Sequence, residues 1–496
     1  MDSTSLRNLH FVFIPFMAPG HILPMVDMAK LLAKRHVKVT IITTPLNLIP
    51  FKASIEREIE SGSPIQLLLV KFPNVEAGLP EGCESVETIP SMDLKLNFFH
   101  ALDLMQKPIE ELLEKLNPSP SCIISDKNIA CVADIAAKLK LPRIIFDGTN
   151  CFNLLCNHNL YVSKVYETVS YSDSLVIPGL PHRIEMKKSQ LPVIFTPGPD
   201  QELNAVRVRI RESEGAKYGI LVNSFEELEA EYVKEYQRVT GHKIWCVGPV
   251  SMTNKDELDK AQRGNKNSNV DESQCVKWLD SWPPSSVVYA CLGSLNRVTP
   301  AQLKEIGLGL EAAKRPFIWV LRGAYKRDEL EKWIVEDGFE ERVKGRGILI
   351  RGWAPQVLIL SHKSVGAFLT HCGWNSTLEG ICAGVPLITF PMFADQFYNE
   401  KVAVQVIETG VRVGVENSVH FGDEDKFGDG VQVTRDNVKD AIKEVMGDGV
   451  EKEKRRERAR KFEDLAKKSI EEGGSSYCNM SLLIEDIMHV QGLNQS

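Results

Sequence analysis

Short apolar runs alternate along this chain with stretches of helical spacing, and that alternation does most to limit its fold. Leu9 to Phe16 reads as a strand, Gly20 and His21 as a turn, Ile22 to Lys34 as a helix through Met25, Met28, Leu31 and Leu32, and Val37 to Thr43 as a second strand. Strand, loop, helix, strand is the opening of a doubly wound parallel sheet, since parallel neighbours need a long crossover and a helix supplies it. Cys122 to Ser125, Ile129 to Leu139 and Arg143 to Phe146 repeat the unit. The pattern breaks after Val250: Ser251 to Gln274 is almost entirely polar or charged, without period, and reads as a linker. A second series follows. Val287 to Leu292 reads as a strand, Gly293-Ser294 as a turn and Pro300 to Ala313 as a helix. Phe317 to Leu321, Gly347 to Arg351, Val365 to Thr370 and Leu387 to Thr389 read as further strands.

A chain of 496 residues is longer than one hydrophobic core usually serves. The expected fold class is α/β, with two Rossmann-like domains whose parallel sheets face across a cleft. Residues 1–250 are expected to form the first domain, 251–274 the linker and 275–476 the second domain. Residues 477–496 are expected to form a helix that packs back on the first. Ligands of such sheets bind beyond the carboxyl ends of the strands. That rule directs attention to the loops after Phe16, Ile124, Leu292, Thr370 and Thr389.

Charge and cysteine usage exclude several classes. The net charge of −7 is spread along the chain, and no basic patch of the kind nucleic-acid binders carry is present. Glu451 to Lys468 interleaves Glu with Lys and Arg, as a solvated helix does. The 11 cysteines form no C-x-x-C pair, so neither a zinc ribbon nor a redox pair is signalled. Their apolar surroundings imply a reducing compartment, and the cytoplasm is expected. The first residues lack a signal peptide's charged start, and no apolar run approaches the roughly 18 residues that cross a bilayer. No integral membrane association is expected, and a monomer is. No G-x-G-x-x-G follows a strand, which counts against a hydride-transferring dehydrogenase. Walker A, G-x-S-x-G and H-E-x-x-H are absent too. Asp423-Glu424-Asp425 has the D-x-D form but sits in a polar loop, and no metal site is expected.

The most specific signal is the 44-residue stretch from Trp353 to Gln396, WAPQVLILSHKSVGAFLTHCGWNSTLEGICAGVPLITFPMFADQ. Val365 to Thr370 is a buried strand ending at His371, Cys372 and Gly373 turn, and Trp374-Asn375-Ser376 open a helix to about Cys382 that Gly384 stops. Free amides and the positive end of that helix's dipole suit a diphosphate. His371, Asn375 and Ser376 can donate to phosphate oxygens, and Glu379 can accept from a ribose hydroxyl. In its length, in WAPQ, in HCGWNSTLEG and in the closing Asp395-Gln396, the stretch closely resembles the signature box of plant secondary-product glycosyltransferases. The chain thus resembles an inverting, two-domain (GT-B) family 1 UDP-glycosyltransferase.

The resemblance implies roles. Trp353 stacks on uracil and the Ala354 backbone pairs with its edge. Gln356 and Glu379 hold the ribose. Ser294, His371, Asn375 and Ser376 hold the phosphates, and Trp374, Asp395 and Gln396 contact the sugar. Thr149 is a further sugar contact. His21, in Pro19-Gly20-His21-Ile22-Leu23-Pro24, has an intrinsic pKa near neutrality that suits a general base, the role the family gives this position. Asp126 is the carboxylate expected to orient it, with Asp134 as the rival. Lys127-Asn128-Ile129-Ala130-Cys131 departs from the family, whose members often carry aromatic residues in this stretch, and Asp147 stands before Gly148 where a His is frequent. The expected reaction transfers a hexose from a UDP-sugar, a co-substrate and not a cofactor, to a hydroxyl of a small lipophilic acceptor. Glucose is favoured by Gln396, with galactose and glucuronic acid as alternatives. A triterpenoid or saponin is the expected acceptor and a flavonoid the alternative, bound by the apolar loops Gly78 to Phe99 and Tyr171 to Pro199. The competing reading is a non-catalytic nucleotide-sugar-binding protein.

Overall fold

The computed structural model describes residues 9–253, 269–270, 272–295, 298–322, 326–419 and 430–492. Most of the expected linker 251–274 and the triplet Asp423-Glu424-Asp425 lie outside them. Among the described residues the strands are β1 (His10–Ile14), β2 (Lys38–Thr43), β3 (Ile65–Leu69), β4 (Cys122–Asp126), β5 (Arg143–Asp147), β6 (Ser174–Val176), β7 (Glu185–Lys187) and β8 (Gly219–Val222). They continue with β9 (Lys243–Cys246), β10 (Val287–Cys291), β11 (Phe317–Leu321), β12 (Gly347–Arg351), β13 (Val365–Thr370), β14 (Leu387–Thr389) and β15 (Gly410–Arg412). Internal contacts divide the chain into two compact units. The first is Met1–Cys151, Pro197–Asn265 and Lys468–Ser496, and the second is Phe152–Thr196 and Lys266–Lys467.

The first unit holds a parallel sheet in the order β3-β2-β1-β4-β5-β8-β9. Its central strands are apolar on both faces, as strands covered on both sides must be. Phe11, Phe13, Ile41 and Ile124 point to one core, with Met25 and Met28 of the helix Pro19–Ala33. Val12, Ile14, Ile42 and Ile123 alternate with them and point to the other, with Phe98, Ile109 and Ile135. The final helix, Ser475–Val490, closes the first core through Met480, Leu483, Ile484, Ile487 and Met488. The second unit holds a parallel sheet in the order β12-β11-β10-β13-β14-β15 and the small antiparallel pair β6-β7.

Both sheets reverse their direction of winding once. In the first, the chain runs outward from β1 to β2 and β3, then returns to lay β4 on the other side of β1. In the second it runs from β10 to β11 and β12, then returns to lay β13 beside β10. At such a point the loops leaving the two neighbouring strands part to opposite faces and leave a crevice. The strands and helices at both points lie close to where the sequence put them. One expectation is corrected: Gly20 and His21 do not make a turn. Pro19 stands at N1, where its missing N–H costs nothing, so the helix begins there and His21 belongs to its first turn. β3, β6 to β9 and β15 were not marked in the sequence, being short and flanked by polar residues. Among the described residues no helix is long and apolar enough to cross a membrane, and all eleven cysteines are free thiols.

Candidate active site

The first reversal point brings His21 and Asp126 together. Ile14 of β1 is in register with Ser125 of β4, so Asp126 is the next residue along, beside the loop that leads into the helix of His21. His21 Nδ1 lies 2.6 Å from Asp126 Oδ2. An ionised carboxylate can only accept, so Nδ1 carries the proton and Nε2 keeps its lone pair. Asp126 Oδ1 accepts from the Asn128 backbone N–H at 2.8 Å and the Asn128 side-chain amide at 2.9 Å, so the carboxylate is held at both oxygens. Asp134 sits in the first turn of the helix Cys131–Leu139, and it is Asp126 that holds the imidazole.

Burial and charge compete here. Burial opposes the imidazolium form of His21, but the charge and hydrogen bond of Asp126 outweigh it and raise the histidine's pKa above its ordinary value. Burial likewise works to raise the carboxyl of Asp126, and the His21 interactions pull it below its ordinary value. The imidazole packs edge-on against Phe16, with centroids 5.4 Å apart, and Phe16 packs against Phe98. Phe99 adjoins Phe98 in turn. Gly148 also abuts the ring: a Cβ there would lie 3.1 Å from Cε1 and 3.2 Å from Nδ1 of His21. Thr149 is buried in the same loop, one residue on.

The second reversal point gathers most of the remaining residues, within the second unit. Gly293 and Ser294 follow β10, and His371, Cys372 and Gly373 follow β13. The His371 ring lies between the two glycines. A Cβ on Gly293 would come within 2.5 Å of it and one on Gly373 within 2.3 Å. Burial lowers the pKa of His371 to about 4, which a backbone hydrogen bond at Cys291 only partly opposes. The ring is therefore neutral near pH 7 and carries a single N–H, for which the Cys291 carbonyl and an incoming phosphate oxygen would compete. Cys372 is held at φ 63, an uncommon conformation for a side-chain-bearing residue, and it turns the chain into the helix Trp374–Cys382. Gly373 is the N-cap of that helix, which has no side-chain cap. Asn375 and Ser376 lie in its first turn, and Glu379 lies one turn further on.

Gln356 links these groups: its amide donates to Ser376 Oγ at 3.0 Å and to Glu379 Oε2 at 2.7 Å. Trp353 and Ala354 follow β12, and the Arg322 guanidinium lies 3.9 Å over the Trp353 ring. Asp395 and Gln396 open the helix Gln396–Lys401. The Gln396 Oε1 accepts from the backbone amides of Met392 at 2.8 Å and Phe393 at 3.2 Å, so its NH2 is the part left to meet a ligand. Sequence reasoning missed Asn399. Its amide donates at 2.8 Å both to the Cys372 carbonyl and to Asp395 Oδ2, tying the two loops together. It also missed Arg322 and Gly148. No sequence signal marked any of the three, Asn399 being one polar residue among several in the helix Gln396–Lys401. Among the described residues no group of three or more His, Cys, Asp or Glu could hold a metal ion.

Known proteins share this sequence and fold. Residues 266–458 match the family described as UDP-glucoronosyl and UDP-glucosyl transferase, and residues 7–252 match the glycosyltransferase N-terminal domain. A UDP-glycosyltransferase 73C12 of Barbarea vulgaris is 49% identical over 489 residues, covering 98% of each chain. The crystal structure of Glycyrrhiza uralensis UGT73P12 complexed with glycyrrhetinic acid 3-O-monoglucuronide superposes with a TM-score of 0.90 at 37% identity, over 98% of this chain and 97% of that one. Medicago truncatula UGT71G1 complexed with UDP-glucose gives 0.76 at 25% identity, over 98% and 100%. The two parallel-sheet units are those of the GT-B fold, and family members take a UDP-sugar as co-substrate and need no cofactor. The chain belongs to the plant family 1 UDP-glycosyltransferases, in the neighbourhood of the 73C group.

Proposed function

We propose that this enzyme transfers a hexose, glucose first, from its UDP conjugate to a hydroxyl of a triterpenoid or saponin, with inversion at the anomeric carbon. The observation that carries the reading is the His21–Asp126 pair, which leaves Nε2 as a free base. Nε2 removes the acceptor's hydroxyl proton while the oxygen attacks C1 and UDP departs from the opposite face. Asp126 stabilises the imidazolium that forms, as the carboxylate of a triad does. The leaving diphosphate is received by the first-turn amides of the helix Trp374–Cys382 with His371, Asn375 and Ser376. Ser294 adds a further donor. Neutral His371 donates to that diphosphate but does not compete for protons. Trp353 stacks on uracil, the Ala354 backbone reads its edge, and Gln356 with Glu379 holds the ribose. Asp395 accepts from sugar hydroxyls and Gln396 donates to them; Trp374 and Thr149 complete the sugar's surroundings. Phe16, Phe98 and Phe99 beside the base favour a lipophilic acceptor. The triterpenoid glucuronide bound by the Glycyrrhiza relative favours that class over flavonoids. Eleven free thiols favour the cytosol.

The test incubates the enzyme separately with UDP-glucose, UDP-galactose and UDP-glucuronic acid, each against triterpenoids, saponins and flavonoids, with mass detection. Transfer should be greatest with UDP-glucose and a triterpenoid. His21→Ala should lower kcat by about 100- to 10,000-fold, the usual worth of a general base. Its UDP affinity should stay within about twofold of wild type. Turnover surviving in that variant would remove His21 from the role.

A further inference from the structure

Two charged residues that depart from the family's usual pattern meet beside the base. Lys127 follows Asp126 at the end of β4, and Asp147 ends β5, where Asp126 is in register with Phe146. The Lys127 Nζ donates to Asp147 Oδ2 at 2.7 Å, and the Lys127 backbone N–H donates to the Phe146 carbonyl at 3.2 Å. Asp147 is nearly buried, with 6% of its side chain exposed, so the ammonium is its chief neutraliser. The next residue is Gly148, where an added Cβ would lie 3.1 Å from Cε1 of His21, so the loop leaves the ring no spare room. A shift of the β5 loop would therefore move the imidazole.

We propose that the Lys127–Asp147 ion pair is a positioning device for His21, resting on the reading of His21 as the base. It fastens the loop after β5 to the end of β4, so that Gly148 stays seated against the imidazole. It also cancels the charge of Asp147 beside a group that must gain and lose a proton. Three charged side chains within this unit act on His21: Asp126 and Asp147 favour its imidazolium and Lys127 opposes it. Lys127 in turn faces Asp147, Glu214 and Asp126, which together hold its ammonium above the ordinary lysine range despite burial. Burial raises the carboxyl of Glu214 as well, and Lys127, Lys217 and Arg211 only partly restore it. The pair thus leaves Asp126 as the one carboxylate that the imidazole answers to.

Because the two partners act on His21 with opposite sign, their removal has opposite signatures. The experiment measures kcat/KM against pH at saturating UDP-sugar for Lys127→Met, Asp147→Asn, the double variant and Lys127→Arg, with thermal melts of each. Lys127→Met leaves Asp147 uncompensated and should move the acid limb to higher pH by roughly half a unit. Asp147→Asn leaves the ammonium uncompensated and should move it to lower pH by a similar amount. The double variant should return the limb to its wild-type position, and Lys127→Arg should keep it there. A packing role alone would lower activity in every variant without opposite shifts. Limbs that stay fixed in both single variants, or that move the same way, would overturn the proposal. Should one single variant fail to fold, the sign of the shift in the other, with Lys127→Arg as its control, still decides it. His21→Ala, run alongside, separates this outcome from a failure of the base assignment itself.

Discussion

The Asp126 carboxylate has two jobs, and a change of one atom separates them. Its Oδ1 is committed to two donors from Asn128, so an asparagine at this position must keep its oxygen there and turn its NH2 toward His21. Nδ1 would then have to accept, the ring proton would move to Nε2, and the base would be lost with the packing intact. Asp126→Asn should fold and bind UDP but lose about 1,000- to 10,000-fold in kcat; retention of even a tenth of the wild-type rate would show that tautomer control is not its task. The pH dependence follows from the same pair. Catalysis needs neutral His21, so kcat/KM should rise with pH through a value above the ordinary 6.5. Stability runs the other way. A raised histidine contributes fully below 6.5, and the contribution is lost as pH climbs through its folded value. The depressed Asp126 contributes above 3.8 and loses it as pH falls through its own folded value. The ion pair therefore stabilises most between those limits, where most of His21 is protonated and the enzyme is slow. Melting temperature followed from pH 5 to 8 should fall in wild type relative to His21→Ala. Both residues were legible in the sequence because each ends or follows a strand at a place the winding rule singles out. Asn399 was not, since its partner Cys372 comes from another loop, and Asp395, one turn before it, does not by itself mark the tie.

At the level of elements, the same device serves twice. In each unit the first strand of the sheet and the strand laid beside it on the return bring the candidate groups together, His21 with Asp126 in one and Gly293-Ser294 with His371 in the other. The strands were readable as apolar runs, and their order follows from the preference for outward winding from the first strand. What could not be read is that Gly293 and Gly373 close on one imidazole. In the sequence Gly373 reads as part of a turn; in the structure its missing side chain also leaves the room that holds the His371 ring. A Cβ on Gly373 would meet His371 Nε2 at 2.3 Å, and one on Gly293, which also sits at φ +78, would meet the ring at 2.5 Å. Either alanine variant must displace the ring or reshape the loop. Gly373→Ala should weaken UDP binding about tenfold or more by calorimetry, the loss of one or two good hydrogen bonds to a charged group. Unchanged UDP affinity would mean that His371 does not take part in holding the diphosphate.

At the scale of the whole chain, the first unit is discontinuous, and its last piece is structural. Met480, Leu483, Ile484, Ile487 and Met488 are each at most 6% exposed in the core beneath β1 and β2. Asn479 donates to the Cys246 carbonyl at 3.1 Å and to Glu226 at 2.9 Å, and Arg35 lies 4.2 Å over the Tyr477 ring. A local reading finds a helix in this stretch, but nothing local specifies Cys246, Glu226 or Arg35 as its partners. Nor does anything local show that 152–196 belongs with the second unit. Burying an apolar side chain of this size is worth about 1.5–3 kcal/mol, so the five together reach the order of 10 kcal/mol as an upper figure. Total stability of a domain is about 5–15 kcal/mol. A chain ending at Gly474 keeps every residue assigned above to binding or catalysis, yet it should be insoluble or inactive, because the core under β1 and β2 is open. Leu483→Ala should cost about 2–5 kcal/mol with catalysis per folded molecule unchanged. Supplying residues 468–496 as a separate peptide should restore soluble, active protein. A truncated chain that melts within a few degrees of the full one would show that the helix covers the core without holding it. The fold would then rest on the seven strands and their crossover helices alone.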